Sequence, residues 1–341
     1  MKFAILAPGK IAQCMAQAVK GLRDGDVLTS QQIAQEMGVC TSELELYAVA
    51  SRSLERAKQF AEEWGFEKAY GTYEEMLEDD AVELVYVASP HSHHFQHAKL
   101  CLEHGKHVLV EKAFTINASQ AAELIALSEE KGLLLAEAIW TRYMPSRQLI
   151  RDVLESGVIG APTSLVANLG YAMRQKERLC NPELAGGALL DVGVYPINFA
   201  MMVFGGRIVQ LDTSVVLSPE GVDWVNSVTL TFEGKEMAIL HSTMLSPTDR
   251  LGVIYGEKGY MEVLNINNCE GVHVYDTEHR LIATYEVPEQ INGYEYEVLA
   301  CMRAIQNGQV ECEAMPHSET LRVMQLLDTI RAKWGMKYPG E

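Results

Sequence analysis

Long apolar runs are scarce in this chain of 341 residues: no stretch approaches the roughly 18 apolar residues that a membrane-spanning helix requires. The opening MKFAILAPGK places only five apolar residues between Lys2 and Pro8, too few for the core of a secretory signal. Cysteine is sparse and unpatterned. The seven (Cys14, Cys40, Cys101, Cys180, Cys269, Cys301 and Cys312) are odd in number and include no C-x-x-C pair. That argues against a disulfide framework and against a structural zinc site, and for a reducing, cytoplasmic setting. Positive charge is short as well: 28 Lys and Arg stand against 46 Asp and Glu, a net charge of −18. A surface that acidic repels phosphate backbones and anionic lipid, so the expected partner is a small molecule and neither nucleic acid nor a membrane. Internal repeats and low-complexity tracts are absent.

What is present is an ordinary globular composition, 48% apolar and 22% charged, on a chain too long for one small core. Two domains are expected, residues 1–139 and 140–341. In the first, short apolar runs alternate with helical stretches. Strands are predicted over Lys2–Ala7, Leu44–Ala50, Glu83–Ala88, His107–Val110 and Leu133–Glu137. Helices are predicted over Ile11–Leu22, Ser53–Trp64 with a serine cap, His94–His104, and Asn117–Lys131 with an asparagine cap and Gly132 beyond its end. This alternation indicates an α/β doubly wound parallel sheet. Residues 23–43 delay the second strand and read as a surface insertion holding a short extra helix. After Trp140 the pattern changes to β-branched alternation over Thr163–Leu169, Ile208–Leu217, Val225–Phe232, Met237–Met244 and Leu251–Tyr255. Helices are expected around Ser146–Ser156, Glu295–Ile305 and Ser318–Trp334, so the second domain reads as α+β with a mostly antiparallel open sheet.

The first strand runs into Ala7-Pro8-Gly9-Lys10-Ile11-Ala12, in the place of the dinucleotide-binding G-x-G-x-x-G or A. Gly9 lets the backbone approach a pyrophosphate, and the helix behind it offers free N–H groups and a positive dipole end. Ala7 replaces the first glycine. At the end of the second strand, Ser51-Arg52-Ser53 carries no carboxylate for a ribose 2′-OH. A guanidinium between two serines suits a 2′-phosphate, so NADP(H) is expected in preference to NAD(H). Lys112 follows a strand of a parallel sheet, where such sheets place their ligands. Asp191 and Tyr195, four residues apart, share one face if their segment is helical. The histidines at 91, 93, 94 and 97 lack accompanying acidic or cysteine ligands, and no metal is expected.

Three further segments carry a family resemblance: Ser89-Pro90-His91-Ser92-His93-His94, Gly105-Lys106-His107-Val108-Leu109-Val110-Glu111-Lys112, and Gly186-Gly187-Ala188-Leu189-Leu190-Asp191-Val192-Gly193-Val194-Tyr195-Pro196. Together they resemble the Gfo/Idh/MocA oxidoreductases. AEAIWTRYMP (136–145), LLDVGVYP (189–196) and the tail from GYEYEV onward are similar to the branch of dimeric dihydrodiol dehydrogenases and xylose dehydrogenases. The chain departs from the family pattern at Ala7 and Ala185, where glycine is common, and at Ala113, where proline is usual.

The resemblance implies an N-terminal NAD(P)-binding Rossmann domain and a C-terminal substrate-binding and oligomerisation domain, with the open sheet as the interface of a homodimer or higher homo-oligomer. It implies reversible hydride transfer between nicotinamide C4 and a secondary alcohol of a sugar, polyol or trans-dihydrodiol. By the same resemblance Tyr195 exchanges a proton with the substrate oxygen, Lys112 lowers the pKa of that phenol, and Asp191 orients the hydroxyl or the lysine. Ala7, Gly9, Lys10, Ile11, Ser51, Arg52, Ser53, Ser89, Pro90, His94, Glu111 and Lys112 are the expected cofactor residues. Trp140, Arg142, Tyr143 and Arg174 are the expected substrate residues. Two other readings stay open: a non-catalytic NADP sensor on the same fold, and an NAD-dependent glycoside-cleaving enzyme.

Overall fold

The computed structural model describes all 341 residues. Strand β1 (Lys2–Leu6) is buried from Phe3 onward and leads through a three-residue turn into α1 (Lys10–Asp24). In α1 the residues Ala12, Met15, Ala16, Val19 and Leu22 recur at three- and four-residue spacing and are fully buried, the pattern of a helix lying on a sheet. The chain continues through α2 (Leu28–Glu36), β2 (Glu45–Ala50), α3 (Leu54–Trp64), β3 (Lys68–Tyr70), α4 (Tyr73–Leu77), β4 (Leu84–Val87), α5 (His91–Glu103), β5 (His107–Glu111), α6 (Ala118–Lys131) and β6 (Leu135–Ala138). The strands order as β3-β2-β1-β4-β5-β6, every neighbouring pair parallel. Parallel strands covered on both faces need apolar residues, and β4 and Val108–Val110 of β5 supply them. The order reverses between β1 and β4, and the carboxyl ends there form the crevice in which such sheets bind ligands.

The predicted caps are present. The side chains of Ser53 and Asn117 accept hydrogen bonds from the amides of Arg56 and Gln120, and Gly132 ends α6 at φ +63°. The short β3 and α4 were not predicted, because three half-buried residues and a five-residue helix carry too little periodicity to read.

The second sheet follows α7 (Pro145–Glu155), β7 (Pro162–Gly170) and α8 (Glu177–Cys180). A wide turn over Leu189–Gly193 leads into α9 (Val194–Phe204), and strands β8 (Ile208–Leu217), β9 (Asp223–Phe232), β10 (Met237–Thr243), β11 (Gly252–Gly256), β12 (Gly259–Leu264), β13 (Gly271–Asp276) and β14 (Leu281–Tyr285) complete the sheet. Its order is β14-β13-β12-β11-β7-β10-β9-β8, antiparallel except for the parallel β7–β10 pair. Strict alternation marks one covered face. In β10, Ala238, Leu240 and Ser242 are buried while Met237 and Ile239 are exposed. The α9 helix is apolar all round and packs on β7 and β10. One expectation is corrected here. Pro182–Phe204 contains an 18-residue window of mean hydropathy 1.5, long and apolar enough to cross a membrane, but 83% of that window is buried inside the protein, as befits a core helix. Strands β12–β14 lie outside the predicted set.

Helices α10 (Glu295–Gln306) and α11 (His317–Trp334) close the chain. It divides into two units, Met1–Tyr143 with Glu289–Met324, and Met144–Pro288 with Gln325–Glu341. This differs from a single crossing after residue 139. Residues 289–306 return to the first unit because Gly21 in α1 leaves room for Ile291, whose Cδ1 would lie 2.9 Å from a β-carbon there. The Glu295 carboxylate gathers the amides of Ile291 (2.6 Å), Asn292 (3.2 Å) and Gly293 (2.7 Å) and accepts from Ser30 Oγ in α2 at 3.3 Å. The inserted segment 23–43 is therefore more than surface decoration: Ser30 and Ala34 are buried and α2 packs on α10.

Candidate active site

In the first unit the predicted cofactor residues come together because they all follow carboxyl ends of one parallel sheet. After β1, Ala7 stands at φ +67° and Gly9 caps α1 with no side-chain hydrogen bond to the first-turn amides. The α1 first turn holds no acidic residue, begins with Lys10, and leaves open space around Gly9, where an added β-carbon would meet nothing within 4 Å. Free amides, a positive helix end and an uncrowded turn fit a dinucleotide pyrophosphate. An L-residue at positive φ costs about 1–2 kcal/mol relative to glycine, so Ala7 keeps the turn at some expense.

After β2, Ser51 is buried and its hydroxyl accepts the Ser53 amide at 3.3 Å, while Arg52 is exposed. Arg52 acts electrostatically on His93 and His97. Burial first, then the neighbouring imidazoles and Arg52, holds His97 down at about 4. Burial, with Arg52 second, also lowers His93. Tyr73 meets the His97 ring edge-on at 4.9 Å, and His97 Nδ1 lies 2.9 Å from Ser89 Oγ at the end of β4. Tyr73 and His97 were missed as neighbours of Arg52, since only the pairing of β2 with β1 and of β1 with β4 brings them together. Pro90 precedes the first residue of α5. His94, fully buried, places Nδ1 2.8 Å from the Ala113 carbonyl oxygen and Nε2 2.8 Å from that of Ser89, tying two strand ends to one ring. Burial keeps that imidazole at about 4, hence neutral.

After β5, the Glu111 carboxylate turns inward, accepting the Tyr86 hydroxyl and, at 3.2 Å, the Lys112 amide. Lys112 is half-buried at the strand end, and the Lys112–Ala113 peptide bond is cis. The residues after β6 are anchored within the same unit. Trp140 stacks on Tyr294 with centroids 4.4 Å apart, buried Arg142 pairs with Glu319 at 3.3 Å, and the Tyr143 hydroxyl donates to the Glu137 carbonyl at 2.8 Å.

In the second unit Asp191 lies in the wide turn and Tyr195 at the start of α9, 5% and 7% exposed respectively. A widened turn of this kind is frequent where helices carry functional residues. Arg178 of α8 reaches the Asp191 carboxylate at 2.9 Å. Arg174 is exposed on the loop before α8, and its carbonyl accepts from Cys180. Ala185, at a position where the family favours glycine, has φ +52°.

Comparison with known proteins agrees with this architecture. A model of the oxidoreductase family with an NAD-binding Rossmann fold (GFO/IDH/MocA) matches residues 4–138, and a model of the GFO/IDH/MocA C-terminal domain matches residues 148–262. The chain is 34% identical to trans-1,2-dihydrobenzene-1,2-diol dehydrogenase of Homo sapiens, over 88% of this chain and 92% of that protein. It is 31% identical to D-xylose 1-dehydrogenase (NADP(+)) of Hypocrea jecorina, over 99% of this chain and 93% of that protein. Among solved structures, a 3-ketoreductase from Actinomadura kijaniata in complex with NADP and TDP-benzene superposes with a TM-score of 0.82 at 26% identity, covering 97% of each chain. With parallel Rossmann sheet, mostly antiparallel second sheet, strand-end crevice and full-length relatives in agreement, this chain is a member of the Gfo/Idh/MocA family of oxidoreductases, a dehydrogenase or reductase acting on CH–OH groups.

Proposed function

We propose that the chain transfers hydride between nicotinamide C4 of NADP(H) and a secondary alcohol or carbonyl of a sugar, polyol or trans-dihydrodiol. The observation that carries the cofactor preference is Ser51-Arg52-Ser53 after β2, an exposed guanidinium flanked by serine hydroxyls with no carboxylate to hold a 2′-OH. A bound nicotinamide would supply or accept the hydride; the chain supplies the rest. Gly9, Lys10 and Ile11 hold the pyrophosphate on the α1 amides, and Ser89, Pro90 and His94 shape the wall at the β4 end. Tyr195 exchanges the proton with the substrate oxygen, and Lys112 lowers its pKa by positive charge. Asp191, set by Arg178, orients the substrate hydroxyl. Trp140, Arg142, Tyr143 and Arg174 contribute to substrate contact. The substrate classes are supported by the dihydrodiol and xylose dehydrogenases to which the chain is similar.

We also infer a homodimer through the outward face of the eight-stranded sheet. There Val166, Ile239 and Tyr255 are 37%, 45% and 39% exposed on adjacent strands. Light scattering of the purified protein tests this, and a monomer at micromolar concentration overturns it. Fluorescence titration with NADPH and NADH tests the cofactor assignment, followed by turnover assays with D-xylose, further aldoses and trans-1,2-dihydrobenzene-1,2-diol. Tighter NADPH binding with turnover of any of these supports the proposal. Tighter NADH binding removes the 2′-phosphate assignment, and NADPH binding without any turnover favours a cofactor-sensing role.

A further inference from the structure

The helix start that carries Asp191 and Tyr195 rests on a buried polar chain. Asp223, the first residue of β9, is fully buried. Its Oδ2 accepts the Leu189 amide at 2.7 Å and Asn226 Nδ2 at 2.8 Å. Asn226 Oδ1 in turn accepts Ser242 Oγ of β10 at 2.8 Å. The Leu189 amide belongs to the first turn of the segment, where backbone donors lack intrahelical acceptors. The helix lies close on this chain because Gly193 has no side chain: a β-carbon there would stand 2.9 Å from Ser242 Oγ.

The other carboxylate oxygen faces Gly187. Asp223 Oδ1 has no hydrogen-bond partner, and a β-carbon on Gly187, which sits at φ +112°, would collide with it. Gly187 donates its amide to the Leu179 carbonyl at 2.9 Å, and a β-carbon on Gly186 would collide with that same carbonyl. Leu179 follows Arg178, which holds Asp191. One carboxylate thus sits beneath both members of the Arg178–Asp191 pair. It bonds the backbone two residues before Asp191 and backs the glycine to which α8, the helix of Arg178, is tied.

We propose that Asp223 is a positioning residue for Asp191 and Tyr195, acting through the Leu189 amide and the Gly186-Gly187 pair. This rests on the reading that Asp191 and Tyr195 serve the reaction. It further says that the bare glycine pair belongs to the positioning apparatus.

The test compares Asp223→Ala, Asp223→Asn, Ser242→Ala and Tyr195→Phe with the unsubstituted protein. Two readouts are used: steady-state oxidation of D-xylose and of trans-1,2-dihydrobenzene-1,2-diol with NADP, and amide hydrogen exchange of the 188–195 peptide. Asp223→Ala is expected to lower kcat by about 10- to 100-fold with KM and NADPH affinity within about threefold, and to speed exchange of that peptide selectively. Asparagine keeps an acceptor for the Leu189 amide, so Asp223→Asn is expected to restore kcat to within about threefold of wild type. Ser242→Ala, one link further away, is expected to lose about two- to fivefold and to fold normally should Asp223→Ala not. Wild-type kcat or unchanged exchange in Asp223→Ala overturns the proposal, as does equal loss in the alanine and asparagine variants. If Asp223→Ala does not fold, wild-type kcat and exchange in Ser242→Ala overturn it. If neither substrate turns over, the exchange result decides. Inactive Tyr195→Phe beside fully active Asp223→Ala would remove the positioning role alone, whereas fully active Tyr195→Phe would remove the underlying reading and this proposal with it.

Discussion

At the strand ends of the parallel sheet, the groups proposed to hold the cofactor are backbone amides of a turn and side chains just past β1, β2, β4 and β5. In the second unit the proposed groups are side chains at one helix start, whose Leu189 amide meets the buried Asp223 carboxylate and whose Asp191 pairs with Arg178 of α8. The first arrangement is produced by topology. Any chain that lays six strands in this order brings the same turns to one crevice, and it tolerates an alanine in place of a glycine. The second is produced by packing contacts between residues 13 to 34 positions apart in sequence, Arg178 with Asp191 and Leu189 with Asp223. A generic cofactor site can rest on local sequence, and a substrate-side constellation needs long-range polar contacts that leave little local trace.

Substitutions can break this contrast. The largest effect is expected from Tyr195→Phe, with kcat lowered about 100- to 10,000-fold and NADPH affinity nearly unchanged. Turnover measured beside a fluorescence titration checks it, and matched losses in both would place Tyr195 in the fold and not in the chemistry. Next, Arg52→Ala should weaken NADPH by about 2 kcal/mol, roughly 30-fold, and NADH by less than a few tenths. Equal weakening of the two cofactors would detach Arg52 from the 2′-phosphate.

A third test sharpens the contrast through pH. Burial pushes the Asp223 carboxyl from its ordinary range up to about 7, outweighing the hydrogen bonds from Asn226 and Leu189; Arg331 acts in the opposite sense to burial. Asp223 also acts on the Tyr338 hydroxyl, which burial already pushes up. A carboxyl whose pKa is raised by folding binds its proton more tightly in the native state. Its contribution to stability is therefore complete below its unfolded value near 4 and is lost as pH rises through about 7. Asp223→Asn removes that dependence. Thermal midpoints measured between about pH 5 and pH 8 should shift progressively in favour of the variant as pH rises. Glu137, raised to about 7 mainly by burial, keeps its own contribution of the same sign in both proteins. A constant difference across this range would mean that Asp223 is already ionised. The smallest effect belongs to the two alanines in left-handed backbone. Ala7→Gly and Ala185→Gly should each stabilise by about 0.5–1 kcal/mol, since relief of the φ penalty exceeds the added entropy of the unfolded chain. Chemical denaturation checks this, and destabilisation at either site would show that the methyl group packs usefully.

Much of the fold was legible because its signals are local. The apolar runs of β1, β4 and β5, the serine and asparagine caps at 53 and 117, and the glycine stops each act within a few residues. The phosphate turn was legible for the same reason, as a turn between a buried strand and a helix. Asp223 left no such trace. It stands at the head of an ordinary β-strand, and nothing near it says that its carboxylate meets an amide 34 residues earlier. The return of residues 289–324 to the first unit was equally hidden, because it depends on Ile291 finding the bare backbone of Gly21. Patterning over a few residues is set by which side chains must leave water, and that the sequence determines by itself. Which loop reaches which helix, and which carboxylate supports which turn, is set by contacts that exist only after the strands have paired, and the tertiary structure alone decided them.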